Sequence, residues 1–457
     1  MTELEEVGAI AIVDGVGPQP RVAGLPPASG MFPGLCVLAD GRWVVQTAGL
    51  VHLVDPIAAR NGGSFEPARL VQPTLGEPPF PTPASDAPGW RFEPATDGRS
   101  ILVVDGRALA RPPTSKSNLL ARITPPPPRT GNPALDDSLL ARVDWALSFG
   151  GRLRVDGSVE PAPELAGVEF QPGPRLVDRT AVVQTRRGGT DEFEAALLGL
   201  DWVDGGVRFE RTLAIGDEIG HDLGRFASAV ARGAGSPLAV DGTRVLVTTN
   251  LGVLALVDAI DGRLVWSLRH QRRDVNTSPE GPTGVRAAFT KDRAYVAPAD
   301  SDLVHVVPTG PWPGADVAAL REPLDRGETL FLGSRTVAGG TTRLLVALRA
   351  GSRQALGLLD PQRAETVPGV FLPQGEGLCE GLWCSADGRF AIASGERHVY
   401  LFDLERELFL LDQHPLDDPR APRDHGRSPA LGGSVHVAGS RIGVLSADAL
   451  ILFTPRR

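Results

Sequence analysis

Histidine, arginine and aspartate crowd into two stretches of this chain, and these are the side chains that could do chemistry. Between Leu268 and Thr283 stand Arg269, His270, Arg272, Arg273, Asp274, Asn276 and Glu280. Between Pro419 and Ser428 stand Arg420, Arg423, Asp424, His425 and Arg427. A guanidinium is a planar fork of donors that fits a carboxylate or phosphate bidentately. A histidine beside an aspartate can move a proton or bind a metal. His270, Arg272, Arg273, Asp274, Asp424, His425 and Arg427 are therefore the candidate ligand-binding set. Two further groups stand in comparable polar stretches: Glu218, His221 and Asp222, and Glu376 with Glu380. Against this stands a plain alternative: loops are polar because they are solvated, and exposed arginine–aspartate pairs contribute little.

No catalytic residue can be assigned. The chain has no phosphate-cradling Walker loop, no His-Glu-x-x-His, no Gly-x-Ser-x-Gly and no EF-hand loop. Its three cysteines, Cys36, Cys379 and Cys384, lack the paired spacing of a zinc site, so no metal and no cofactor are expected. An odd cysteine count in a long chain fits a reducing compartment. The start, Met-Thr-Glu-Leu-Glu-Glu, is acidic where a secretory leader would be basic, and no window approaches the roughly 18 apolar residues of a membrane span. The expectation is a cytoplasmic protein with no membrane partner. A formal net charge of −9 argues against nucleic acid, which needs a concentrated basic face. Lysine appears only as Lys116 and Lys291, a bias that a GC-rich bacterial genome explains.

What must position these residues is a repeat. Its clearest copy is Leu238 to Leu268, LAVDGTRVLVTTNLGVLALVDAIDGRLVWSL. It reads as four short strands, Leu238–Val240, Val245–Thr248, Leu254–Asp258 and Leu264–Leu268, joined by turns at Asp241-Gly242, Leu251-Gly252 and Asp261-Gly262. Alternating apolar residues between Asp-Gly turns signal hairpins. Four antiparallel strands with tight turns make one propeller blade. Similar units run from Leu35 to Pro56, Trp90 to Pro112, Gly284 to Val307, Leu382 to Leu411 and Leu431 to Phe453, with weaker ones at Arg175 to Trp202 and Thr341 to Val367.

The expected fold is all-β: one β-propeller domain over 1–457, of about eight four-stranded blades. The segment Leu119 to Val159 could complete the second blade, form its own, or be an insertion, so the count admits seven to nine. The last unit lacks a fourth strand, and a lone strand at Val7 to Val13 could supply it and close the ring. Proline-rich loops are expected near 71–88 and 124–133, and short helices at Leu223 to Ala231 and Asp316 to Arg321. Asp258 and Asp261 read as turn formers. His52, His305 and His398 recur near one blade position and read as structural, facing a neighbouring strand.

Leu251 to Trp266, LGVLALVDAIDGRLVW, resembles the repeat of quinoprotein-type propellers, with Leu256, Asp258, Gly262 and Trp266 on the matching positions. Leu401-Phe402-Asp403 and Leu358-Leu359-Asp360 match in part. The resemblance implies the architecture. Quinone-dependent dehydrogenases of that family are usually exported, longer, and often carry adjacent cysteines over the cofactor. This chain has no Cys-Cys pair, and its tryptophans do not recur blade by blade.

The functional expectation is a non-catalytic propeller whose polar face, bearing arginine and histidine, meets a protein, a peptide or a small anionic ligand. The alternative is a propeller enzyme of lyase, hydrolase or isomerase type at the channel mouth, using His270, His425 or His221 with arginines.

Overall fold

A computed structural model describes residues 3–12, 31–47, 49–75, 90–105, 118–128, 140–148, 150–188, 193–216, 238–249, 251–271, 286–289, 293–298, 303–311, 324–325, 329–336, 342–350, 353–360, 365–373, 378–385, 389–395, 397–406, 409–416, 433–446 and 449–456. Among these residues the strands fall into eight sheets, which follow one another in chain order. Sheet 3 holds Glu169–Phe170, Arg175–Val177, Thr180–Gly188, Phe193–Asp201 and Val207–Gly216; sheet 5 holds Arg286–Phe289, Arg293–Ala297, Leu303–Pro308 and Leu324–Asp325. Sheet 6 holds Thr329–Thr336, Thr342–Ala350, Arg353–Asp360 and Glu365–Phe371; sheet 7 holds Leu378–Cys384, Phe390–Gly395, His398–Asp403 and Phe409–Pro415. Sheet 4 is the simplest: Leu238–Asp241, Arg244–Thr248, Val253–Asp258 and Leu264–Arg269, each antiparallel to the next. Its turns need the left-handed backbone that glycine provides cheaply, and Gly242, Gly252 and Gly262 have φ of 59, 74 and 70°. Asp258 Oδ1 accepts from Ile260 N at 3.0 Å and Asp261 Oδ1 from Arg263 N at 2.9 Å, so both aspartates hold their turn. Asp55, Asp201 and Asp403 do the same at the ends of the third strands of sheets 1, 3 and 7.

The inner strands of successive sheets lie against one another from sheet 1 to sheet 8. Side chains alternate across a strand, so a sheet between two others must be apolar on both faces. In Val253–Asp258, Leu254 and Leu256 enter the core shared with sheet 5, while Ala255 and Val257 enter the core shared with sheet 3. The molecule's core is thus a series of seams between neighbouring sheets. This is a β-propeller.

The ring closes through the N-terminus. Sheet 8 takes three strands from the end of the chain, Ser434–Ala438, Arg441–Leu445 and Ala449–Arg456, and its outermost strand is Glu3–Ala11. Glu3 pairs with Arg456 and Ala11 with Ala449. Ile10, Ile12, Leu450 and Leu452 then pack against Leu35, Trp43 and Val45 of sheet 1. The closing strand begins earlier than the apolar stretch Val7 to Val13 suggests, because Leu4 fills the seam to sheet 7 and Glu5 pairs with Arg456.

Three features depart from the repeat. Sheet 2 has six strands, Ala95–Thr96, Ile101–Val104, Leu120–Thr124, Arg142–Ser148, Gly151–Leu153 and Val159–Pro161, so Leu119 to Val159 completes this sheet and extends it outward. Sheet 1 (Met31–Val37, Trp43–Gln46, Val51–Asp55 and Arg60–Phe65) receives Trp90–Phe92 as a parallel strand on its inner edge. The crossing is so close that a Cβ on Gly34 would lie 2.4 Å from the Glu93 backbone. Pro67–Leu75 is a helix, so the first residues of the proline-rich stretch 71–88 are not loop. Pro67 sits at the first helical position, where a missing N–H costs nothing, and buried Val71 joins the seam of sheets 1 and 2. Residues 223–231 and 316–321, expected as short helices, lie outside the described residues.

Candidate functional site

In each sheet the start of the inner strand, the turn from second to third strand and the end of the outer strand share one edge; we call the face these edges form the entry face. In sheet 4 this edge carries Leu238, Thr248, Val253 and Arg269; in sheet 8 it carries Ser434, Leu445, Ala449 and Ala11. The hydroxyls of the second-to-third turns are used locally. Thr47 Oγ1 bonds Leu50 O and N at 3.1 and 3.0 Å, and Ser446 Oγ bonds Ala449 O and N at 3.1 and 3.0 Å. Other polar groups tie sheet to sheet. Gln46 Nε2 donates to Val104 O at 2.6 Å. Asn118 Nδ2 donates to Phe170 O at 2.9 Å, and its Oδ1 accepts from Phe170 N at 2.7 Å. Ser394 Oγ accepts from Gly433 N at 3.1 Å. These buried groups are structural: each satisfies a backbone group that would otherwise be desolvated unpaired.

Of the candidate ligand-binding set, His270 is described; Arg272, Arg273, Asp274, Asp424, His425 and Arg427 lie outside the described residues, as do Glu218, His221, Asp222 and Glu376. The stems of both main segments are described. Gln271 and Arg286 flank the first, Leu416 and Gly433 the second, and all four stand at the entry-face edges of sheets 4, 5, 7 and 8.

His270 is not an open loop residue. Its N–H donates to Gly252 O at 2.8 Å, extending the ladder by one rung, and the side chain is buried in the seam between sheets 4 and 5. The His270 and His305 ring centroids are 5.0 Å apart, at 44°. Nδ1 of His270 lies 3.2 Å from Gln271 O. His305 is buried too; burial first, then the neighbouring His270, pulls its pKa down to about 4. His52 occupies the matching place in sheet 1, buried, with Asn61 Nδ2 3.2 Å from its Nδ1. The structural reading of His52 and His305 follows from the repeat; the pairing of His270 with His305 does not, because it joins residues of different sheets.

Two further polar groups stand near the inner strands, and no sequence motif marks them. His436, half-buried on the inner strand of sheet 8, has Nε2 2.8 Å from Ser434 Oγ. Arg175, on the inner strand of sheet 3, is paired with Glu93. Neither stands in a recognisable motif; only its place on an inner strand would have singled it out. Cys36 is a free thiol, and burial pushes it well above its ordinary range. Among the described residues no three His, Cys, Asp or Glu side chains gather as metal ligands, and no helix is long and apolar enough to cross a membrane.

No protein-family model matches the chain, and no curated protein matches it significantly. Solved structures do. BamB from Moraxella catarrhalis is similar over 99% of this chain and 100% of its own, with 12% identity and a TM-score of 0.52. A quinohemoprotein alcohol dehydrogenase from Comamonas testosteroni is similar over 100% of this chain and 77% of its own, with 11% identity and a TM-score of 0.54. The architecture is that of a quinoprotein-like propeller, as the Leu251 to Trp266 repeat implies. At such identities the likeness carries fold alone.

Proposed function

We propose that the chain is a non-catalytic propeller that presents its entry face to an acidic protein or peptide segment, or to a small anionic ligand. One observation carries the reading. The stems of the two arginine-rich segments, Gln271 with Arg286 and Leu416 with Gly433, share one face. Arg272, Arg273, Arg420, Arg423 and Arg427 lie between those stems in sequence. Asp274, Glu280, Asp417, Asp418 and Asp424 stand in the same two segments and bring their formal charge to zero, so the reading rests on how the five arginines are placed and not on a net positive charge. Arginine supplies the bidentate geometry that carboxylate and phosphate accept. The exit face offers less, since its third-to-fourth turns in sheets 1, 3, 4 and 7 are short and held by their own aspartates.

The test is the double variant Arg272→Ala/Arg273→Ala, with a glutamate-rich peptide and inorganic phosphate as probes. Two lost charge-assisted contacts predict binding weaker by roughly tenfold or more, with unchanged melting. Equal binding by variant and parent, or no binding of either probe by the parent, refutes the reading.

A further inference from the structure

In sheets 6, 7 and 8 the residue that follows the outermost strand is buried and plugs the seam to the next sheet. It is Leu372 in sheet 6, Leu416 in sheet 7 and Ile12 in sheet 8, all buried. Across the seam each meets the third strand of the following sheet. Leu372 shares its core with Tyr400, and Leu416 shares its core with Ile451. Tyr400 pairs across its sheet with Ala393, and Ile451 with Val444. In sheet 4 the plug is His270, and the residue facing it from sheet 5, paired with Val296, is His305. Where sheets 6 and 7, and sheets 7 and 8, meet, the plug is a leucine against Tyr400 or Ile451; where sheets 4 and 5 meet, two buried imidazoles touch.

We propose that this pair is a pH-operated latch: protonating His305, packed against His270, parts the entry-face edge of sheets 4 and 5 and loosens His270 and Gln271 at the end of the outer strand of sheet 4. The latch does not depend on whether that face binds a ligand. The seam is apolar: His305 shares its face of sheet 5 with Val296 and Val307, against Leu246, Leu254, Leu256 and Trp266 of sheet 4. Of the described charged groups on these sheets, Arg269 is exposed beside the pair, and Arg286 and Asp325 also stand at the entry-face edge of sheet 5. Asp241, Arg244, Asp258, Asp261, Arg263 and Arg293 stand at the exit-face ends, away from it. A proton on one imidazole would be desolvated there and would repel a proton on the other.

Hydrogen exchange on the full chain tests this, because the ring contains its own control. The His270 N–H to Gly252 O bond has a counterpart in Leu416 N–H to Arg397 O, at 2.7 Å in sheet 7, where the plug is leucine. With His305 at about 4 when latched and an ordinary 6.5 when open, the opening equilibrium should rise roughly 30-fold between pH 7.5 and 5.0. Peptides covering 264–271 should lose protection by about that factor after correction for intrinsic rates, while those covering 409–416 should not. The variant His270→Leu/His305→Tyr, which copies the Leu372–Tyr400 pair, should abolish the difference. Equal response of the two peptides overturns the proposal, as does a pH response that survives in the double variant. If that variant fails to fold, the comparison within the parent chain still decides.

Discussion

Removing residues 1–12 takes away the outermost strand of sheet 8. The loss can be sized from the structure. Leu4, Ile10 and Ile12 are 5, 6 and 5% exposed, so each is fully committed to a seam. At about 1.5–3 kcal/mol per buried aliphatic side chain, the three contribute about 5–9 kcal/mol. A domain's whole stability is about 5–15 kcal/mol. The deletion also leaves Ala449–Arg456 as an open apolar edge, which invites association. The expected result is loss of cooperative melting, or a midpoint lowered by more than about 10 °C, together with aggregation. Single changes separate the two seams. Leu4→Ala should weaken the contact with sheet 7 and Ile10→Ala that with sheet 1, each by about 2–4 kcal/mol, and the effects should add because the side chains lie in different cores. Glu5→Gln removes an exposed ion pair with Arg456 and should change little. The assay is thermal and urea unfolding, with unfolding rates measured if the transition proves irreversible. A deletion variant that melts with the full chain would refute closure through this strand.

Acid should weaken the fold through His305. Its pKa is lower in the folded chain, about 4 against 6.5, so the unfolded state binds the proton more readily and stability falls with pH between those values. The loss approaches about 3 kcal/mol below pH 4, and unfolding midpoints at pH 7 and 5 should be closer in His305→Tyr than in the parent; an unchanged gap would count against it. Gly433→Ala should be far more damaging than Gly41→Ala. A Cβ on Gly433 would lie 1.8 Å from Leu445 O, whereas Gly41 at φ 85° has open space and costs about 1 kcal/mol of backbone strain. Parallel urea titrations of the two variants would show the order, and equal stabilities would contradict it.

Turns and the repeat were legible in the sequence because their chemistry is local. An Asp followed by a left-handed glycine, as at Asp241-Gly242 and Asp261-Gly262, announces a turn whatever surrounds it. Closure by the N-terminal strand was legible too, from a count of strands in the last unit. The first turn of that strand was less so, since its glutamates look solvated and only Leu4 enters a seam. Trp90–Phe92 reads as the start of a unit, because nothing in three residues says that they will pair in parallel with Met31–Val37. The helix Pro67–Leu75 was hidden behind proline, which reads as loop unless it falls at the first helical position. At the candidate site, residue type was informative and burial was not. His270 looked like one more polar loop residue, because the ring that buries it belongs to a repeat some 35 positions away, His305.

The pairing of Glu3–Ala11 with Ala449–Arg456 also sets a timetable for synthesis. The strand that finishes the ring leaves the ribosome before any sheet exists, and its partner follows after nearly the whole chain. At roughly 5–20 residues per second the wait is roughly 20–90 s. For that interval the nascent protein carries an extended segment with nothing to pair with, a hazard that natural strands blunt with charge. Glu3, Glu5 and Glu6 supply that charge on the waiting strand. These glutamates thus work as a guard, until Arg456 arrives to pair with Glu5.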